Sequence, residues 1–248
     1  MKAVIVADAH LNVADDGKRT RDDFEALLNS IDPAVTERVV LMGDIFDFWF
    51  EYRHAIFSGY FEILAAFQRL SRAGIEFHFL CGNHDFWAGR FLRTHLGFHI
   101  HDQVTLPFGE QKVLFIHGDG IREDDYSYRI YKRIARFAPI VGLFWLIHPD
   151  FAMGIAQAVS RGSRKLNTGK DPAQGREVEP LREFARNAIT RGEADVVFCG
   201  HSHYAEMVDI PRENGDGLYI NTGDFLWHRK FVVWDGETFE HRTWGDEG

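Results

Sequence analysis

The side chains able to do chemistry gather in short polar clusters, each of which follows an apolar run. These clusters are Asp8-Ala-His10, Gly43-Asp44-Ile-Phe-Asp47, Gly82-Asn83-His84-Asp85, His117-Gly-Asp119 and Gly200-His201-Ser-His203. Seven of their residues, Asp8, His10, Asp44, Asn83, His117, His201 and His203, offer oxygen or nitrogen donors and no thiolate. Carboxylate, amide and imidazole together suit Mn, Fe, Zn or Ni rather than a structural zinc knot. Seven such donors on one edge are what a pair of divalent ions requires. A carboxylate shared between ions roughly 3.5–4 Å apart lets the pair stabilise the attacking and leaving oxygens of an in-line displacement. His54, His78, His95, His99, His101, His148, His228 and His241 lie outside these clusters and read as hydrogen-bonded surface residues.

Those donors converge only if the elements before them run side by side. The stretches 2–7, 38–42, 76–81, 113–116, 195–199 and 218–220 are nearly continuous apolar runs, the pattern of strands buried on both faces. The last of them runs into a sixth polar cluster, Asn221-Thr-Gly-Asp224. Helical spacing over 21–30 and 57–73, with a further helix over 176–191, alternates with the strands. Such alternation predicts a layered α/β fold whose ligands bind beyond the carboxyl ends of the strands. The stretch from 122 to about 170 breaks the pattern. It reads as a helical cap inserted into one domain spanning 1–248.

Composition narrows the function. The chain has 248 residues, 45% of them apolar, with 22 Phe and 6 Trp, which excludes intrinsic disorder. A net charge of −9 argues against general nucleic-acid binding. Two cysteines, Cys81 and Cys199, are too few for a disulfide framework and point to a reducing cytoplasm. The apolar start is cut off by Asp8, so it reads as a first strand and not as a signal peptide. The longest apolar stretch, 137–147, is 11 residues with a proline inside, well short of the ~20 needed to span a bilayer.

The five clusters, in this order, resemble the motif set of the calcineurin-like metallophosphoesterases. The resemblance implies a four-layer αββα sandwich. It also implies one metal held by Asp8, His10, Asp44 and His203 and a second by Asp44, Asn83, His117 and His201, with Asp44 as the bridge. His84 would then stand over the substrate and donate to the phosphate or the leaving oxygen. Asp47 either orients His84 or caps a helix.

The cap carries nine basic and four acidic residues, a balance of +5, mixed with Phe137, Leu143, Trp145, Leu146 and Phe151. Apolar and basic side chains mixed on helices suit a membrane surface or an acyl-chain pocket with an anionic head. Asp124-Asp125-x-x-Tyr128-x-x-Tyr131, then Arg161, Ser163, Asn167 and Lys170, resemble the cap pattern of the bacterial UDP-2,3-diacylglucosamine hydrolases of lipid A synthesis. That family cleaves the pyrophosphate of a nucleotide-linked glycolipid and normally uses Mn(2+). By this resemblance Asn83, Asp125, Arg161, Ser163, Asn167, Lys170 and His201 would touch substrate, although Ser163 and Asn167 also fit helix caps or turns. The enzyme would be cytoplasmic and in peripheral contact with the inner membrane. The chain departs from well-known members at His84, where they carry Arg, and at Tyr204-Ala205, where they carry Arg-Pro. The alternative is a phosphodiesterase or phosphatase of the same superfamily with another substrate.

Overall fold

Strands buried on both faces need a cover on each side. Here one cover is a layer of helices and the other is a second sheet. The computed structural model describes residues 1–122, 137–155, 157–158, 175–212 and 215–246. One sheet has the order β11-β10-β1-β2-β3-β4: β1 is Ala3–Val6, β2 Arg38–Leu41, β3 Glu76–Leu80, β4 His99–His101, β10 Lys230–Trp234 and β11 Phe239–Thr243. The other has the order β5-β6-β7-β9-β8: β5 is Gln103–Phe108, β6 Gln111–Ile116, β7 Val196–Cys199, β8 Glu206–Ile210 and β9 Gly217–Asn221.

Side chains alternate across each strand, and that alternation builds three separate cores. Between the sheets lie Ala3, Ile5, Val40, Phe115, Val196, Phe198 and Val232. On the outer face of the first sheet, Val4, Val6, Val39, Leu41, Phe77 and Phe79 pack with residues of helices α1 (Lys18–Ser30), α2 (Phe61–Arg72) and α3 (Arg90–Leu96). On the outer face of the second sheet, Val197, Cys199 and Tyr219 pack under Leu181, Ala185 and Ile189 of a helix at Val178–Thr190. Three cores between four layers make an αββα sandwich, as expected. Both cysteines, Cys81 and Cys199, are buried.

Strands β1, β2 and β3 run parallel, with Val4 opposite Val39 and Val39 opposite Phe77. Strands β6, β7 and β9 are likewise parallel, through the pairs Val113–Val196 and Val196–Leu218. The carboxyl ends of all six carry the polar clusters. The remaining strands escape a search keyed to clusters. Strands β5, β8 and β11 alternate between exposed and half-buried positions, and β4 has only three residues. Strand β10 does carry a buried apolar run, but it is not followed by a metal-type cluster.

Three expectations need correction. Helix α1 starts three residues before position 21, directly out of a 3-10 turn at Asp15–Gly17. Residues 58–60 form a 3-10 turn, so α2 begins later than position 57. His78 is buried rather than at the surface, because it lies on a strand covered from both sides and stacks against His99 and His101.

Between β6 and β7, the described part of 122–170 is helical, as α4 (Ala138–Phe144) and again over 149–155. The Val178–Thr190 helix follows it as α5. Phe144 packs on Phe50 and Trp87, with ring centroids 4.8 and 5.1 Å away. Trp145 Nε1 donates to the Glu51 carbonyl at 3.3 Å, and Ala152 and Met153 are buried in the helix-side core. The segment therefore sits against the loop after β2 and against Trp87, beside the carboxyl edge of the first sheet.

Candidate metal centre

The loops after β1 and β2 stay paired for several residues beyond the strands. Asp8 N donates to Gly43 O, His10 N to Asp44 O, Leu11 N to Ile45 O and Asp47 N to Leu11 O. Within this pairing the backbone turns sharply to aim side chains at one point. Six described non-glycine residues have left-handed φ, and five of them are Asp8, His10, Asp44, His201 and His203. Each such residue costs about 1–3 kcal/mol and persists only where its surroundings over-determine it. Strain gathered on five donors from three different loops marks this edge as the functional one.

The side chains meet closely. His203 Nε2 lies 3.3 Å from Asp8 Oδ1, and His117 Nε2 lies 3.5 Å from Asp44 Oδ2. His10 Nε2 is 3.8 Å from both Asp8 Oδ1 and Asp44 Oδ2. Asp8, His10 and His203 form one cluster of potential ligands, and Asp44, His117 and His201 form another. A third cluster joins His10, Asp44 and His84. Asp44 therefore lies between the clusters, where a shared carboxylate must be.

The donor atoms fit metal ions. Asp8 Oδ1, His10 Nε2, Asn83 Oδ1, His117 Nε2 and His203 Nδ1 are buried without a hydrogen-bond partner. Buried polar atoms are normally paired, so five orphans around one point indicate a cationic occupant. His117 Nδ1 donates to the Met42 carbonyl at 2.8 Å, which fixes the tautomer and leaves Nε2 bare for a ligand role. Asp8 and Asp44 use their other oxygens as struts. Asp8 Oδ2 accepts from His201 N at 2.9 Å, and Asp44 Oδ1 accepts from His84 N at 2.8 Å.

Electrostatics express the same demand. Burial disfavours charge on Asp44, but His117 and His84 outweigh it and hold its carboxyl well below the usual carboxylate range. Burial also opposes protonation of His117, yet the Asp44 charge lifts that imidazole to about 10. Against the same opposition, Asp8 raises His203 and Asp44 raises His84. Burial lowers His10 and His201, with neighbouring imidazoles adding to the effect. Without a metal, protons stand in for positive charge, so metal binding must release them.

His84 sits at the rim, with the buried Asp47 beneath it. His84 Nδ1 donates to the Asp47 backbone carbonyl at 3.0 Å, while the Asp47 carboxylate is 3.7 Å away. The carbonyl makes the orienting hydrogen bond, and the carboxylate sits between His84 and His10, 3.8 Å from His10 Nδ1. No helix starts at Asp47; the next helical turn begins at Ser58, so a capping role is overturned. Asp125, Arg161, Ser163, Asn167 and Lys170 lie outside the described residues.

Two further residues build the site. Asp85 is buried and accepts from the backbone N–H groups of Gly82, Asp44, Ile45 and Phe46 at 2.8, 3.2, 2.8 and 3.3 Å. It ties the β2 and β3 loops together. Burial and the adjacent Asp44 charge push its carboxyl up to about 7 against the pull of those donors. Asn221 does the same for the β7 loop, donating from Nδ2 to Gly200 O at 2.9 Å and Ser202 Oγ at 3.0 Å. Both residues stood inside polar clusters, but a role in bracing backbone leaves no spacing signature.

Comparison with known proteins agrees with this geometry. The family model of the calcineurin-like phosphoesterases matches residues 1–205. A UDP-2,3-diacylglucosamine hydrolase of Porphyromonas gingivalis is 31% identical over 81% of this chain and 80% of its own length. One from Serratia proteamaculans is 26% identical over 92% of each chain. With clusters of potential ligands meeting around Asp44 at the edge of an αββα sandwich, and with a family match over most of its length, the chain belongs to the calcineurin-like phosphoesterases.

Proposed function

We propose that the chain is a dimetal-dependent pyrophosphatase that hydrolyses UDP-2,3-diacylglucosamine to UMP and 2,3-diacylglucosamine 1-phosphate, a step of lipid A biosynthesis. The observation that carries this reading is the similarity, over four-fifths of both chains, to a hydrolase of that substrate. Asp8, His10, Asp44 and His203 would hold one ion and Asp44, Asn83, His117 and His201 the other, with Mn(2+) as the resident metal. When bound, such a pair supplies Lewis-acid stabilisation of phosphoryl charge and lowers the pKa of a water.

The chain's own residues do the rest. Asn83 and His201, on opposite sheets, frame the phosphoryl group. His84, whose hold on a proton Asp44 strengthens and which the Asp47 carbonyl aligns, would present Nε2 to the departing phosphate oxygen of the lipid half. Asp125, Arg161, Ser163, Asn167 and Lys170 of the cap are the proposed contacts to the glucosamine-phosphate and nucleotide portions. Leu146 and Phe151, 81% and 72% exposed, supply apolar surface beside the site for acyl chains and for peripheral contact with the cytoplasmic membrane face.

The test is Mn(2+)-dependent release of UMP from UDP-2,3-diacylglucosamine in mixed micelles. Wild-type protein should release it, and Asp44→Ala should lose both bound metals and turnover. Hydrolysis of a simple phosphodiester with no UMP release would instead assign the chain to the phosphodiesterases of the superfamily.

A further inference from the structure

The sixth polar cluster, Asn221-Thr-Gly-Asp224, supplies none of the proposed metal donors, yet it ends at the same edge. Asp224 is fully buried and organises the turn after it. Its Oδ1 accepts from Trp227 N at 2.6 Å and His228 N at 3.3 Å, and its Oδ2 accepts from His228 Nδ1 at 2.5 Å. Arg229, the sixth left-handed residue, locks the other end. Its guanidinium donates to the carbonyls of Phe225 and Leu226 and to Asp23 Oδ2. Gly223 presses so closely on the loop after His203 that a Cβ there would lie 2.7 Å from Ala205 Cβ.

The turn carries one conspicuous side chain. Trp227 is 53% exposed, and its ring centroid lies 5.4 Å from that of His203, tilted by 47°. A large aromatic left in water on a rigid turn is poor economy for folding and good preorganisation for binding, since little entropy remains to be lost. Its position is specific. Trp227 borders the Asp8–His203 side of the site, whereas α4 packs on Phe48, Phe50 and Trp87 across the His84 side. Phosphate over the metals thus lies between two different surfaces, one a broad apolar segment packed on aromatic rings and one a single exposed indole. His84 faces the first, where the lipid phosphate departs. The second is left for the other half of the molecule.

We propose that Trp227 is the stacking platform for the nucleobase of the substrate's nucleotide half. This rests on the nucleotide-glycolipid reading above. An indole face suits a planar base with polar edges, and the neighbouring His228 places a polar ring at the same rim.

Calorimetric titration of the Mn(2+)-loaded protein with UMP and with ribose 5-phosphate isolates the base. Stacking of one base on an aromatic ring is worth ~1–3 kcal/mol, so Trp227→Ala should weaken UMP binding about tenfold. The loss for ribose 5-phosphate should be at least about fivefold smaller, and Trp227→Phe should restore most of the UMP affinity. The KM for the glycolipid should rise as UMP affinity falls, while kcat moves less. Equal losses for both ligands, or no loss for UMP, overturn the platform. So does a fall in vesicle binding with UMP affinity intact, which would make Trp227 a membrane contact. If wild-type protein does not hydrolyse the glycolipid but the base-dependent loss is seen, the nucleotide platform stands and the lipid substrate falls.

Discussion

At Gly82 the site has room for a hydrogen atom and nothing larger. A Cβ there would lie 2.2 Å from Asp44 Oδ1 and 2.5 Å from Asp44 N. Gly82→Ala must therefore displace the proposed bridging carboxylate. We expect bound metal to fall at least about tenfold in affinity, as for other perturbed ligand shells, with the circular dichroism spectrum retained. Metal content by mass spectrometry after dialysis checks it, and two tightly held ions in the variant would contradict the bridge. His84 makes the complementary case. If it is a proton donor and not a ligand, His84→Gln should lower kcat by roughly 10²–10⁴ and leave the metal content at two. Loss of an ion would place His84 in the cluster that it forms with His10 and Asp44.

At the scale of elements, the pairing of β3 with β4 stores a pH dependence. His78 is buried on β3, with Nδ1 3.1 Å from His101 Nε2 on β4. Burial pulls His78 down to about 4, only partly offset by Glu76. A base whose folded pKa is depressed binds fewer protons folded than unfolded. Its contribution to stability is therefore intact above the unfolded value of ~6.5 and is lost as pH falls from there towards 4. Urea unfolding with chelator present, between pH 7 and 4, should show a shallower acid loss for His78→Gln than for wild type. Parallel slopes would mean that His78 is as free to charge as a surface residue. The outer helices rest on aromatic packing of a familiar kind. Phe67 touches Phe24, Phe77 and Phe98 at the α1–α2–β3 junction. Phe67→Ala should cost about 3–5 kcal/mol in the same unfolding assay. A loss below 1 kcal/mol would mean that the junction collapses around the gap.

The whole molecule separates its charges. The chain total is −9, but 122–170 carries +5, so the rest of the chain carries the acidic excess. The described part of that insert exposes Leu143, Leu146, Phe151 and Ile155. None of the described helices is long and apolar enough to cross a membrane. Surface attachment predicts that the protein co-sediments with anionic phosphatidylglycerol vesicles, less so at high salt. The pair Leu146→Glu and Phe151→Glu should reduce the bound fraction several-fold with the fold retained. Binding indifferent to both the pair and the salt would remove the membrane contact. Trp145 is a poorer probe because its indole hydrogen-bonds to Glu51, so its replacement also disturbs how the insert is anchored.

Apolar runs ending in Asp, Asn and His clusters already determined the strand-end donors, the α/β class and the metal chemistry, because each depends on residue type and short spacing alone. His10 two residues after Asp8, and Asn83 beside His84, are legible without coordinates. The edge strands were not, since pairing at β5, β8 and β11 is decided by neighbours far along the chain. Nor were the bracing roles of Asp85 and Asn221, or the nearness of Trp227 to His203, a contact between loops 24 residues apart. The resemblance implied Asp44 as the bridge, but only the tertiary structure brings that aspartate between the two ligand clusters. That placement depends on two parallel strand sets bringing their carboxyl ends to a common edge, and a linear sequence does not encode that distance locally.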